Sequence, residues 1–313
     1  MLTRRHFLTR SIAAGAVAPA LVRSLGEAQE PTSVKIASIL TATLNAAFLM
    51  PKYLKEMGVT AEILLFPNIT QRMQAIVSND VQIGYGGLNA TIAIAAKGFP
   101  LSVLANACDG GWMLAAKPEI RSLAELKGKK VASQPGNIAH LSILWKLQQL
   151  KLDRDVELLF MNNNDMPIAI SKGDVQAMMS FEPYPTLARL NGWAKNLWEP
   201  YDTPMGRTNA GLIASIDFIK KFPNLTAKMV EAHVKATKEL LATPGIAVET
   251  TVKQFNLSPE VARESLKNIF FTVDSGQAFQ DGLKAMGRMM VDAKMTDKLP
   301  DWNTLINTSF LKA

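Results

Sequence analysis

Three short segments of this chain occur twice, in the same order and at nearly one spacing. Lys35-Ile36-Ala37-Ser38 returns 95 residues later as Lys130-Val131-Ala132-Ser133. Glu62-Ile63-Leu64-Leu65-Phe66 returns as Glu157-Leu158-Leu159-Phe160, and Asp80-Val81-Gln82-Ile83 as Asp174-Val175-Gln176-Ala177, the last at an offset of 94. One coincidence of this kind carries little, but three in register mean that one supersecondary unit is built twice.

Each copy reads the same way. An apolar run (Val34 to Leu40; Lys130 to Ser133) leads through a small polar turn into helical periodicity, clearest over Ile138 to Leu150, where Leu141, Leu144, Trp145 and Leu147 share a face. A second strand follows (Glu62 to Phe66; Glu157 to Phe160), then an amphipathic helix ending near Asn79-Asp80 or Gly173-Asp174, then a third apolar run (Val81 to Tyr85; Val175 to Ser180). Strands alternating with helices predict parallel sheets with right-handed crossovers, here two α/β lobes around a central cleft.

Between the copies, Gly110 to Lys117 reads as a connecting strand. Ser122-Leu123-Ala124-Glu125 has the form of a capping box, with Gly128 as the stop of the short helix it opens. After the second copy Thr208 to Ser215 carries the chain back, and the remainder is mainly helical, punctuated by Pro223, Pro244 and Pro300, with Ser258-Pro259 opening one helix. The lobes are therefore discontinuous: residues 31–112 with 209–313 make the first, and 113–208 the second.

Residues 1–28 read as an export signal. Arg4-Arg5 precedes an apolar stretch, Ile12 to Ala20, too short to span a bilayer, and small-residue cleavage sites end at Ala20 and Ala28. The paired arginines point to the twin-arginine translocase, against a general secretory signal with a chance arginine pair. The full chain carries a net charge of +7 over 313 residues; beyond residue 28 it has 30 basic and 26 acidic side chains, which gives no reason to expect nucleic acid. A soluble periplasmic monomer is expected.

In parallel α/β sheets, ligands bind beyond the carboxyl ends of the strands. The loops that meet this condition are Thr41 to Asn45, Gly84 to Asn89, Gln134 to His140 and Phe181 to Tyr184, rich in hydroxyls, amides and glycines at helix starts. Backbone N–H groups and the helix dipole suit such positions to a small anion.

Several of these segments resemble one known family. Leu123 to Ala132, followed by Pro135-Gly136-Asn137 and His140, is similar to the corresponding part of the periplasmic substrate-binding proteins of nitrate, sulfonate and taurine uptake. So are Gly173 to Ala177, Glu182-Pro183-Tyr184 and Asn79 to Gly84, the resemblance spanning roughly residues 33 to 245. Related members bind a pyrimidine precursor of thiamine. The resemblance implies a type II periplasmic-binding fold closing about a two-stranded hinge. It also implies delivery of a small-molecule ligand to an ABC permease with its ATPase. The chain departs from the usual pattern at Gln82 and Gln176, where small or apolar residues are frequent.

Candidate ligand residues have blander readings beside the functional one. Thr41, Thr43 and Asn45, like Gly87 and Asn89, either bind or cap the following helices; Gly136, Asn137 and His140 open a helix in the second lobe. Glu182 could receive a substrate amine or hold Tyr184 and the hinge, while Tyr85 and Trp112 could stack on a flat ligand or fill core. None of the four loops contains arginine, so an anionic head group is expected to rest on N–H groups, hydroxyls and His140 rather than on a guanidinium. A heteroaromatic vitamin precursor is the alternative ligand. No cofactor, metal or catalytic motif is legible; the 15 methionines read as core filler. The remote enzymatic alternative is Cys108, the single cysteine, as nucleophile with His140 as its base.

Overall fold

A computed structural model describes residues 30–67 and 69–311. The export signal and both cleavage sites expected at Ala20 and Ala28 lie outside the described residues. The first copy of the repeat comprises β1 (Ser33–Ser38), α1 (Ala46–Glu56), β2 (Thr60–Leu65), α2 (Ile69–Val77) and β3 (Ile83–Gly87). Then come α3 (Leu88–Ala96), β4 (Leu101–Gly110) and β5 (Trp112–Ala116). The second copy is β6 (Lys130–Ser133), α4 (Ile138–Gln149), β7 (Glu157–Phe160), α5 (Met166–Lys172) and β8 (Ala177–Phe181), continued by α6 (Tyr184–Leu190) and β9 (Lys195–Trp198). The return strand β10 (Thr208–Ser215) leads to α7 (Ile216–Lys221), α8 (Pro223–Ala242), α9 (Pro244–Phe255) and α10 (Pro259–Leu266). β11 (Ile269–Phe271), α11 (Gln277–Asp292) and α12 (Trp302–Leu305) follow.

The strands form two sheets, of order β11-β4-β10-β3-β1-β2 and β7-β6-β8-β5-β9. In each, the three repeat strands are parallel in the order second-first-third, and an antiparallel strand (β10 or β5) flanks the third. The duplication extends to side chains. Gln82 Oε1 accepts the Lys35 N–H at 2.7 Å while its amide donates to the Asn79 carbonyl; Gln176 does the same for Lys130 at 3.1 Å and Gly173. These two glutamines therefore tie the loop before the third strand to the start of the first in both copies, which is the physical content of their departure from the family pattern.

The chain crosses between sheets at Gly110-Gly111, both with positive φ (67° and 87°), and again between β9 and β10. The crossings touch: Gly110 N–H donates to the Arg207 carbonyl at 2.8 Å, and Asn209 Nδ2 donates to the Gly110 carbonyl at 2.6 Å. At Gly111 a side chain would meet Thr43 Cγ2 at 2.5 Å, so close packing and backbone angle both call for glycine there.

Apolar helix faces explain the layers. One side of the first sheet packs on α1 and α8 through Met50, Leu54, Met229 and Val230, and the other on α2 through Met73 and Ile76. A further core spans both sheets, because Leu283 and Met286 of α11 join Leu88 and Ile92 of α3 to Trp112, Leu114 and Ile138 beyond the crossing. Among the described residues, no helix is long and apolar enough to cross a membrane.

One local expectation is corrected. The short helix after Ser122 is a single 3-10 turn, Leu123–Leu126, and Ser122 does not cap it. Its hydroxyl donates instead to Glu125, whose carboxylate also accepts the Arg121 N–H, so the acidic partner serves the residues before the turn. The tail after β10 is mainly helical, as expected, and its one strand, β11, extends the first sheet by pairing antiparallel with β4.

Candidate functional site

Between the sheets lies a cavity of about 480 Å³. Every parallel strand sends its carboxyl-terminal loop into the wall, as the topology requires. From the first sheet come Ile39, Leu40, Thr41, Thr43 and Leu44 after β1, Phe66, Pro67, Ile69 and Arg72 after β2, and Gly87 and Asn89 after β3. The second contributes Gln134, Asn137 and Ile138 after β6, Asn162, Asn163 and Asn164 after β7, and Phe181 and Tyr184 after β8; Asn209 and Ala210 of β10 complete it. A volume of this size is in the range of small-molecule pockets.

The polar side chains of the wall bond to one another. Thr41 and Thr43 share a hydrogen bond between hydroxyls of 3.0 Å. Gln134 Oε1 accepts from Asn163 Nδ2 at 2.5 Å and from Asn137 Nδ2 at 3.4 Å, and Asn163 Oδ1 accepts from Ser180 at 3.0 Å. Asn137 caps α4 by accepting the His140 N–H at 2.8 Å. Across the cleft, Asn89 Nδ2 donates to the Gly136 carbonyl at 2.6 Å, a direct tie between the lobes.

Of the residues singled out in the sequence, Thr41, Thr43, Gly87, Asn89, Asn137 and Tyr184 line this cavity; Asn45, Tyr85, Trp112, Gly136, His140 and Glu182 do not. Strand alternation accounts for Tyr85. The segment Gly84 to Gly87 belongs to β3, so Tyr85 faces opposite to Gly84 and Gly86, into the core, where its hydroxyl meets His233 Nδ1 at 2.7 Å and Met50 sulfur at 3.0 Å. Trp112 is fully buried in β5, its indole N–H donating to Ser142 at 3.0 Å. Asn45 uses its amide to hold α9, through Ala247 and Thr251. His140 faces its own loop: Nδ1 accepts the Gly136 N–H at 3.1 Å, the ring stands edge-on to Phe160, and burial lowers its pKa.

Glu182 is fully buried beside the crossing. Its carboxylate accepts from Thr186 Oγ1 at 2.9 Å, Thr186 N at 3.3 Å and Asn268 Nδ2 at 2.5 Å, so it joins β8 and α6 to the segment entering β11. Burial nevertheless pushes its pKa up to about 7, the three donors offsetting only part of the desolvation. Cys108 is packed with Ala42 and Ile269, away from the cavity, and burial raises its thiol well above the ordinary value. A nucleophile pointing at a substrate in this cavity would need both exposure and a lowered pKa, and Cys108 has neither.

The four loops contain no arginine, yet one arginine lines the cavity. Arg72 is absent from the four loops because it sits on α2, one turn inside the helix, where it follows Ile69 and precedes Met73 and Ile76 on the buried face. It is fully buried, lines the cavity, and its Nε and Nη1 have no hydrogen-bond partner. Burial alone draws its pKa down to about 10. The legible signal was a charged residue inside an apolar helical stripe. Asn162, Asn163 and Asn164 also lie outside those four loops; their signal is three successive carboxamides that follow β7 after Met161.

The family model described as NMT1/THI5 like matches residues 51–247. A protein of Escherichia coli (strain K12) named for binding aliphatic sulfonates is 29% identical over 110 residues, 35% of this chain and 34% of its own. The taurine-binding periplasmic protein of the same strain is 23% identical over 197 residues, 62% of each chain. Both matches thus span less than two thirds of the relative's length. In three dimensions, a protein of Methylobacillus flagellatus KT named as a periplasmic sulfonate-binding component of an ABC transporter superposes with a TM-score of 0.74. It shares 19% identity and the match covers 90% of this chain and 93% of that one, which shows the periplasmic-binding fold.

Proposed function

The chain belongs to the NMT1/THI5-like family, and from that premise we propose that it is the solute-binding component of an ABC importer. It captures a small polar or anionic organic solute between two lobes and hands it to a permease with its ATPase. The observation that carries this reading is the cavity itself, walled from both sheets by the loops that follow all six parallel strands. A solute touching both walls favours the closed arrangement by its differential affinity for it, which is how binding drives closure.

The lobes in this reading are residues 31–112 with 209–313, and 113–208, a division supported by the partition of strands between the sheets. Export through the twin-arginine translocase, cleavage near Ala20 or Ala28, and a monomer in the periplasm belong to the same proposal. That the relatives above are named as periplasmic or sulfonate-binding proteins supports it. A heteroaromatic solute is the second reading, favoured by Phe66, Phe181 and Tyr184 in the wall. A thermal-shift screen of the chain without residues 1–28 separates the two, since a ligand of the native state raises the Tm by mass action. Alkanesulfonates or carboxylates are expected to raise it in a saturable way; a rise with thiamine pyrimidine precursors alone would favour the second reading.

A further inference from the structure

We propose that Arg72 is the anchor of the cavity's ligand, and that the site takes a compact organic monoanion, a sulfonate or carboxylate without an amine, in preference to the zwitterion of the same length. This rests on the solute-binding reading of the cavity and deepens it. A guanidinium that serves only structure is bonded to carboxylates or carbonyls, because a buried charge without partners is costly. Arg72 has a fully buried side chain in the cavity wall with two nitrogens unpartnered, and no carboxylate pairs with it among the described residues.

The fold builds a seat for this group. Ile76 and Arg72 are four residues apart on one face of α2; Gly84 and Gly86 are two apart on the facing side of β3. A methyl group at Gly84 would collide with Ile76, and one at Gly86 would lie 2.8 Å from Arg72 Nη2 and 3.2 Å from Cζ. The paired glycines let helix and strand approach until the guanidinium lies against the strand, with Nη2 beside Gly86 and with Nε and Nη1 left without a protein partner.

The rest of the wall explains the selectivity. Its polar groups among the described residues are hydroxyls and carboxamides, such as Thr41, Asn89, Asn137 and Asn163, and none is acidic. One cation in a neutral wall matches one negative charge. An ammonium on the same solute would lose water without gaining a counter-charge in the wall: Asp165, which accepts from Asn162 and Asn164, and Glu182, held by Thr186 and Asn268, both stand outside it.

The test uses the chain without residues 1–28, its Arg72→Met and Gly86→Ala variants, and four probes: propanesulfonate, butanoate, taurine and the neutral propanesulfonamide. Wild type is expected to bind propanesulfonate or butanoate about tenfold or more tightly than taurine and the sulfonamide. Arg72→Met should weaken the anion by about 10- to 100-fold while raising the Tm of the ligand-free protein, because an uncompensated buried charge has been removed. Gly86→Ala retains the charge, displaces it from its seat and should also weaken the anion. A fall in the ligand-free Tm of Arg72→Met with the anion affinity unchanged would overturn the proposal, as would taurine binding as tightly as propanesulfonate. Should a neutral pyrimidine stabilise wild type and Arg72→Met alike while no anion does, the anion inference fails and the solute-binding reading stands. If no small solute stabilises wild type, both fail.

Discussion

Trp112→Ala is expected to lower the free energy of unfolding by about 3–5 kcal/mol, the range for truncating a large buried aromatic. The side chain is fully buried: its indole lies edge-on to Tyr201 at 5.4 Å between ring centres and tilted to Phe181 at 6.4 Å. Trp112 also belongs to the core that α11 shares with both sheets, so the cavity left by truncation falls where the lobes are joined. Relaxation there would have to move two sheets at once, which places the cost toward the upper end of the range. Urea unfolding of the variant measures it. The same variant separates packing from ligand stacking, because a stacking residue would lose affinity and keep stability, whereas Trp112 should lose stability and, when folded, bind anions with little change.

The second large effect is a pH-dependent one at Glu182. Its pKa rises on folding from 4.5 to about 7, so the protonated form is the one the folded state prefers. The stability contributed by this group is then fully present below pH 4.5 and is lost as pH rises through 7, a change of about 3 kcal/mol at most. His233 slopes the other way. Its ring, between Tyr85 and the Asn106 carbonyl, is drawn by burial from 6.5 down to about 4, so its contribution is present above pH 6.5 and lost as pH falls through 4. Asp109, raised by burial from 3.8 to about 6, slopes as Glu182 does. Glu182→Gln removes one of these slopes and leaves the others. The stability difference between variant and wild type is therefore expected to shift in the variant's favour by about 2–3 kcal/mol between pH 4.5 and 8. A difference that stays constant over that window would show that Glu182 keeps its ordinary pKa in the folded protein.

The contrast between Arg72 and Tyr85 shows which information a single sequence carries. The repeated tetrads located the parallel strands of both sheets, because a buried parallel strand is an unbroken apolar run whose neighbours are set by the β-α-β unit. The strand ends then pointed to four of the six loops that wall the cavity, and Thr41, Thr43, Asn89, Asn137 and Tyr184 follow from that alone. What failed was orientation. Gly84-Tyr85-Gly86-Gly87 looks like a loop on composition, yet it is strand, and a period of two turns Tyr85 away from the glycines that face α2.

Arg72 was hidden for a related reason. It stands not in a loop but within a helix whose stripe reads as core; only the packing of α2 on two glycines shows that the stripe ends at the cavity. β11 lies beyond the reach of pattern, three residues in a polar setting that become a strand only because β4 presents an open edge. The glutamines at 82 and 176 are the opposite case. They were legible as an oddity repeated in both copies, and the repeated hydrogen bonds give the oddity its reason.

The central claim, that a small organic anion is clamped between the lobes by Arg72, is tested most directly by a crystal structure with the anion that raises the Tm most. Its oxygens should lie within hydrogen-bonding distance, about 2.7–3.2 Å, of the Arg72 guanidinium nitrogens, with carboxamides such as Asn163 reaching the same molecule from the second sheet. An anion bound elsewhere, or Arg72 turned away from a ligand that occupies the cavity, would contradict it.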